Sequence, residues 1–165
     1  MTETLPTWFD DDVAELEVPG VDHVVVRLGG GRYGLAAHDV AEVVPVPRIT
    51  RLPGSPVWVR GLANWRGHVL PVIDVRPLLD VPVTPLPTSA RLVVVAVDDV
   101  EVGVVAETVT GLVAVPEPCP PAPTGLTGAS VDLVRGLADP GPAGPVAVLG
   151  TPQLLALGAR SAPRR

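Results

Sequence analysis

Short valine-rich runs, each cut off by glycine, proline or paired acids, limit this chain to one kind of architecture. HVVVRLG (23–29) ends in a glycine triplet, HVLPVIDV (68–75) leads into Arg76-Pro77, and RLVVVAV (91–97) stops at Asp98-Asp99. Valine is stiff at Cβ and suits a pleated surface better than a helix. With 21 Pro and 17 Gly in 165 residues, turns and strand ends are frequent. Hydrophobic residues make up 47 % and aromatics only 3 %, so the core is aliphatic. A β-rich protein of many short strands follows.

Strands are expected at 23–29, 32–37, 68–75, 91–97 and 101–115. HDVAEVV (38–44) continues the second strand or forms a short helical turn, and VWVRGLANW (57–65) is a strand or a helical turn. RPLLD (76–80) reads as a short helix or turn, and 134–157 closes the fold. PVPRITRLPGSP (45–56) and PEPCPPAP (116–123) hold too many prolines for a regular element, and 81–89 is a linker by composition. In GLANWRGHVLPVIDV (61–75), the cluster Asn64-Trp65-Arg66 reads as a turn between glycines.

The chain repeats itself. With a constant offset of 69, Arg32–Pro47 matches Glu101–Pro116: Gly34 meets Gly103, Ala37 meets Ala106, Val40 meets Val109, Val43 meets Leu112 and Pro47 meets Pro116. WVRGLAN (58–64) then matches LVRGLAD (133–139), and VLPVIDVRPLL (69–79) matches VAVLGTPQLLA (146–156) after a two-residue insertion. Three matches in the same order indicate a duplicated unit. Two β-rich halves of about five strands each would pack together as small barrels, whose closure removes exposed edges.

Charge excludes some functions. All 12 basic residues are Arg, while residues 1–22 hold seven acids and no Arg, so most of the net −6 lies in an acidic N-terminal arm. No cluster of positive charge suits a nucleic-acid surface. The single cysteine, Cys119, rules out an internal disulfide and a cysteine metal cage. The N-terminus lacks a secretory apolar core, and no apolar run reaches the roughly 20 residues of a membrane span. A cytoplasmic protein with no membrane insertion is expected. Residues 1–20 read as a flexible arm, 21–159 as one domain of two subdomains, and 160–165 as a basic tail. Trp8-Phe9 beside three Asp is either a disordered tail or a segment that docks on a partner.

No catalytic set is apparent. Cys119 sits between prolines with no His nearby in sequence, no serine occupies a G-x-S-x-G elbow, and His23, His38 and His68 lack metal spacing. His38 and His68 read as solvent-facing strand residues, and Asp98-Asp99-Val100-Glu101 reads as a solvated hairpin turn. Gly29-Gly30-Gly31 has no following Lys-Ser/Thr and is a hairpin turn, not a phosphate loop. What remains is recognition. Arg66 beside Trp65 has the composition of an interface anchor. Equally, Arg66 could pair internally with Asp74 or Glu42 and hold the turn.

The pattern G-x-x-N-x-R-G followed by V-x-P-V-x-D-x-R resembles the signature of the CheW family, the adaptors of bacterial chemotaxis. Here it is Gly61, Asn64, Arg66 and Gly67, then Val69, Pro71, Val72, Asp74 and Arg76. VRLGGGRYGL, Val40-Ala41-Glu42-Val43-Val44 and RITRLPGSPVWVRGL resemble the family as well. The resemblance runs from about Val24 to Leu157. It implies an all-β (mostly) fold of two five-stranded SH3-like β-barrels related by a pseudo-twofold, with short helical segments. It implies a non-enzymatic scaffold, without cofactor or metal, that bridges the cytoplasmic tips of methyl-accepting chemoreceptors to the regulatory domain of a CheA-type histidine kinase. Val40, Glu42, Gly61, Asn64 and Arg66 would lie in the partner-binding region, with Trp65 beside them. Trp65 departs from the small aliphatic residue usual in that place, and DPGPAGP with Gly150-Thr151 departs from the usual second half. The second copy keeps Arg135-Gly136 but loses the Asn-Trp-Arg cluster, which favours partner binding over a requirement of the barrel. Other readings are a divergent scaffold of another signalling array that lacks the receptor contact, and a small-ligand-binding barrel.

Overall fold

The computed structural model describes residues 20–126 and 128–161. Most of the acidic arm and the last four residues lie outside the described residues, as does Trp8-Phe9. Among the described residues, ten strands form two five-stranded sheets. In chain order they are β1 (Gly20–Leu28), β2 (Gly31–Ala36), β3 (Val40–Pro45), β4 (Val59–Trp65), β5 (His68–Ile73), β6 (Arg91–Val97), β7 (Val100–Ala106), β8 (Thr108–Pro116), β9 (Val134–Ala138) and β10 (Val146–Leu149). One sheet has the order β8-β1-β2-β10-β9, and the other β3-β6-β7-β5-β4. Adding five to each strand of the first half turns one order into the other, so the sequence repeat is a structural repeat. Gly34 and Gly103, matched in sequence, each sit in the second strand of their half, on the strand pairs β1/β10 and β6/β5.

The halves are interleaved. β1 and β2 share a sheet with β8, β9 and β10, while β3, β4 and β5 share one with β6 and β7. The chain changes sheets at the 3₁₀ turn Ala37–Asp39 and again at Glu107. The sequence repeat predicts that each half builds its own barrel. In the structure each sheet takes two strands from one half and three from the other, because the third strand pairs with the first strand of the opposite half.

Burial on both faces explains the unbroken valine runs. Leu92 and Val94 of β6 face a cluster with Leu70, Val72, Ala63 and Val105, whereas Val93 and Val95 face the large core shared with the other sheet. The small cluster also takes in Val44 of β3 and Trp65 of β4, which stand on opposite edges of one sheet. In the other sheet, Val115 of β8 and Ala138 of β9, again opposite edges, share a cluster with Val148. Each sheet therefore curls until its edges meet around aliphatic side chains, although among the described residues no ladder closes the curl.

Among the described residues, two α-helices pack against the sheets. Thr151–Ser161 lays fully buried Leu154 on the shared core, and Gly158 approaches Val102 so closely that a Cβ would meet it at 2.8 Å. Ala129–Leu133 is a short helix that the sequence reading did not foresee. Gly20 opens β1, and Arg160 and Ser161 belong to the closing helix.

Candidate functional site

The cluster Asn64-Trp65-Arg66 is not one turn. Asn64 and Trp65 end β4, paired with Val69 and His68 of β5. The turn itself is Arg66-Gly67, with φ of 50° and 81°. Positive φ at both central residues matches the right-handed twist of the flanking strands. Asn64 Oδ1 accepts the Gly67 N–H at 3.2 Å and holds the turn. Arg66 thus occupies a conformation that a side chain rarely adopts, and its guanidinium is held from outside the hairpin.

That hold comes from Glu42 on β3, the opposite edge of the same sheet. Glu42 Oε2 accepts from Trp65 Nε1 at 2.8 Å and Arg66 Nε at 3.2 Å, and lies 3.1 Å from Arg66 Nη2. The Arg66 guanidinium also sits 4.9 Å over the Trp65 ring. Trp65 packs its apolar body on the cluster inside the curl and turns its N–H outward to Glu42. These side chains bridge two edge strands that share no ladder. The internal pairing open at the sequence level is therefore with Glu42; Asp74 has a different partner.

The same row continues beyond Trp65. His68 meets the indole edge-on at 5.3 Å, and its Nε2 is hydrogen-bonded to Glu101 Oε2 on β7. By sequence His68 reads as a plain strand residue and Glu101 as part of a solvated turn, and neither local pattern signals their contact. Only the parallel placement of β5 beside β7 brings them together. His38 lies in the 3₁₀ turn, not on a strand. The Arg66 side chain is 63 % exposed, and Val69, paired with Asn64 in the same hairpin, is 64 % exposed.

Val40 and Gly61 have other surroundings. Val40 is half-buried against the shared core. Gly61 is buried with φ of 137°, and a Cβ there would run into the Thr50 carbonyl. Gly136, its repeat mate, faces Pro120 O in the same way. The glycine that both halves keep thus serves the backbone, since the connection before each strand crosses over it.

Asp74 and Arg76 of the V-x-P-V-x-D-x-R stretch are buried, each about 1 % exposed. Asp74 receives Arg76 Nε at 3.0 Å and Nη2 at 2.8 Å. Arg76 Nη1 reaches Thr84 O at 2.9 Å and Glu107 Oε1 at 3.3 Å, and Glu107 Oε2 accepts the Gly29 N–H at 2.6 Å. Hydrogen bonding to Asp74 raises the Arg76 pKa further, against the opposing effect of burial. This network ties the β1–β2 turn of one sheet to the β5 end of the other, passing through the residue where the chain changes sheets. Its role is architectural.

Among the described residues, no group of His, Cys, Asp and Glu could hold a metal ion. Burial pushes the Cys119 thiol up, away from the reactive thiolate. No helix of the described residues is long and apolar enough to cross a membrane. The geometry is a curled double sheet with aliphatic interiors and an Arg-Trp-Glu row at one rim.

Residues 22–158 match the model of the CheW-like domain, and the chain belongs to that family. It is 38 % identical over 86 residues to Protein PilI of Pseudomonas aeruginosa, covering 52 % of this chain and 48 % of that protein. It is 30 % identical over 98 residues to the chemotaxis protein CheW of Bacillus subtilis, covering 59 % and 63 %. The matches thus span about half to two thirds of the length of these relatives. The crystal structure of the scaffolding protein TtCheW from Thermoanaerobacter tengcongensis superposes with a TM-score of 0.72 at 26 % identity, covering 79 % of this chain and 89 % of that one. The resemblance read from the signature residues holds, as does the mostly β fold of two five-stranded sheets. The family is one of signalling scaffolds in chemotaxis-like systems.

Proposed function

We propose that this chain is a non-enzymatic cytoplasmic adaptor that couples the tip of a methyl-accepting chemoreceptor to the regulatory domain of a CheA-type histidine kinase. The rim of the sheet that holds β3, β4 and β5, with Glu42, Asn64, Trp65 and Arg66, is the docking face, and Val40 and Gly61 lie on the two edge strands, β3 and β4, that carry it. The observation that carries this reading is Arg66. Its guanidinium is mostly exposed yet fixed in direction by Glu42 and Trp65, and the same hairpin carries exposed Val69. A pre-oriented cation next to apolar surface is the composition of an interface anchor. A partner's carboxylate or backbone carbonyls can reach the donors of Arg66 that Glu42 leaves unused.

The test is binding of the kinase regulatory domain and of a receptor-tip helix to wild type and to Arg66→Ala, with thermal unfolding of both. Weaker binding with unchanged unfolding supports the docking face. Loss of the fold would make Arg66 purely structural. The second half favours one further reading: where Glu42, Trp65 and Arg66 stand, the aligned residues are Gly111, Pro140 and Gly141. A chain with one equipped rim could keep the kinase contact and lack the receptor contact. Kinase binding without receptor-tip binding would establish that divergent scaffold.

A further inference from the structure

The two halves differ in charge at one matched place. Arg135 on β9 corresponds to Arg60 on β4 by the alignment of WVRGLAN with LVRGLAD. Arg135 Nη2 lies 3.0 Å from Oε1 of Glu117, the residue directly after β8. The residue aligned with Glu117 is Arg48, which follows Pro47 as Glu117 follows Pro116. An acid in one half is thus a base in the other. Arg48, Arg51 and Arg60 have no carboxylate within ion-pair distance among the described residues. Three guanidinium groups on neighbouring segments favour an anionic occupant.

An open cleft of about 620 Å³ lies there, lined by Arg51 and Arg60 and by apolar Leu52, Pro53, Pro56 and Val57. Val57 is 79 % exposed. Cations beside apolar surface suit an acidic segment that carries aromatic side chains. This chain contains one, Trp8-Phe9-Asp10-Asp11-Asp12, in a stretch 1–19 with six acids and no Arg. From Asp12 to Gly20, where β1 begins, the chain reaches up to about 28 Å when extended, comparable with the width of a domain of this size. So short a tether holds the aspartates at an effective concentration on the order of millimolar. The groove beside Trp58 is a poorer host, because Asp132 lines it together with Arg160.

We infer that residues 8–12 dock in the Arg51–Arg60 cleft of their own chain, the aspartates taking the part that Glu117 plays in the other half. The test uses the full chain with Cys119→Ser and a nitroxide on Ala14→Cys, and reads line broadening of backbone amides. Broadening concentrated on Ile49, Leu52, Val57 and Val59 is expected. It should vanish at about 1 M salt, where screening acts within about 3 Å. It should vanish in Arg51→Glu with Arg60→Glu, and return when Asp10→Arg, Asp11→Arg and Asp12→Arg are added. Broadening centred elsewhere, or unchanged by salt and charge reversal, overturns the assignment. So does broadening that passes from nitroxide-bearing chains to unlabelled ones in a mixture, which would place the arm on a second copy.

Discussion

Two arginines of one signature do opposite work. Arg66 pairs with Glu42 at an exposed rim, where such pairs contribute about 0–1 kcal/mol. Arg76 is buried and joins Asp74 to Glu107. Arg76→Ala leaves a buried carboxylate unpaired and should cost about 3–5 kcal/mol. Denaturant unfolding checks both: Arg66→Ala should unfold within about 1 kcal/mol of wild type, and equal losses for the two variants would refute the division. Tyr33 gives a cleaner titration, because it is the chain's one tyrosine. Burial raises its pKa above 10.0. The folded state therefore holds the phenol proton longer than the unfolded chain does. Stability from this group is complete below the unfolded pKa and is lost as pH rises through the folded one. Phenolate absorbance should appear at higher pH in the native protein than in denaturant, and coincident curves would sink the assignment. Cys119, raised chiefly by burial, should react more slowly with a thiol reagent at neutral pH in the native protein than after unfolding.

At the scale of elements, the hairpin tips and crossings set the tightest backbone constraints. Gly61 and Gly67 both have positive φ, but only Gly61 lies against backbone. Gly67→Ala meets nothing within 4 Å and should cost about 1–2 kcal/mol. Gly61→Ala adds a collision with the Thr50 carbonyl and should cost distinctly more, with loss of the native amide spectrum around β4. Equal melting shifts for the two variants would show that the crossing tolerates a side chain. These elements also mark how far the sequence could be read. Glycine at 61 was visible as part of a motif, but its reason lies in a segment 11 residues upstream that proline made unreadable as structure. The strands 91–97 and 68–73 were legible because valine and turn signals agree locally. Asn64-Trp65 was misread as turn because polar residues at a strand end mimic one. The His68–Glu101 bond depends on a parallel pairing, which leaves no local pattern.

At the scale of the whole molecule, the duplication was legible and its assembly was not. Matching glycines and prolines revealed two copies, yet nothing local says that the third strand of a half pairs across to the other half. That exchange decides cooperativity. Neither half contains a complete sheet, so residues 20–89 expressed alone should remain largely unfolded, and so should 90–161. Mixed in equal amounts, the two should regain the native circular dichroism. Independent folding of either fragment would contradict the shared-sheet architecture.

The interleaving also bears on where such a chain could have come from. One unit of this repeat holds a hairpin for one sheet and three strands for another, so a single-unit ancestor could bury its valines only by trading strands with a twin. Joined end to end, two such units are free to differ. One rim carries the Glu-Trp-Arg row while the other has glycine and proline in the aligned places, an asymmetry that a symmetric pair of identical chains cannot hold.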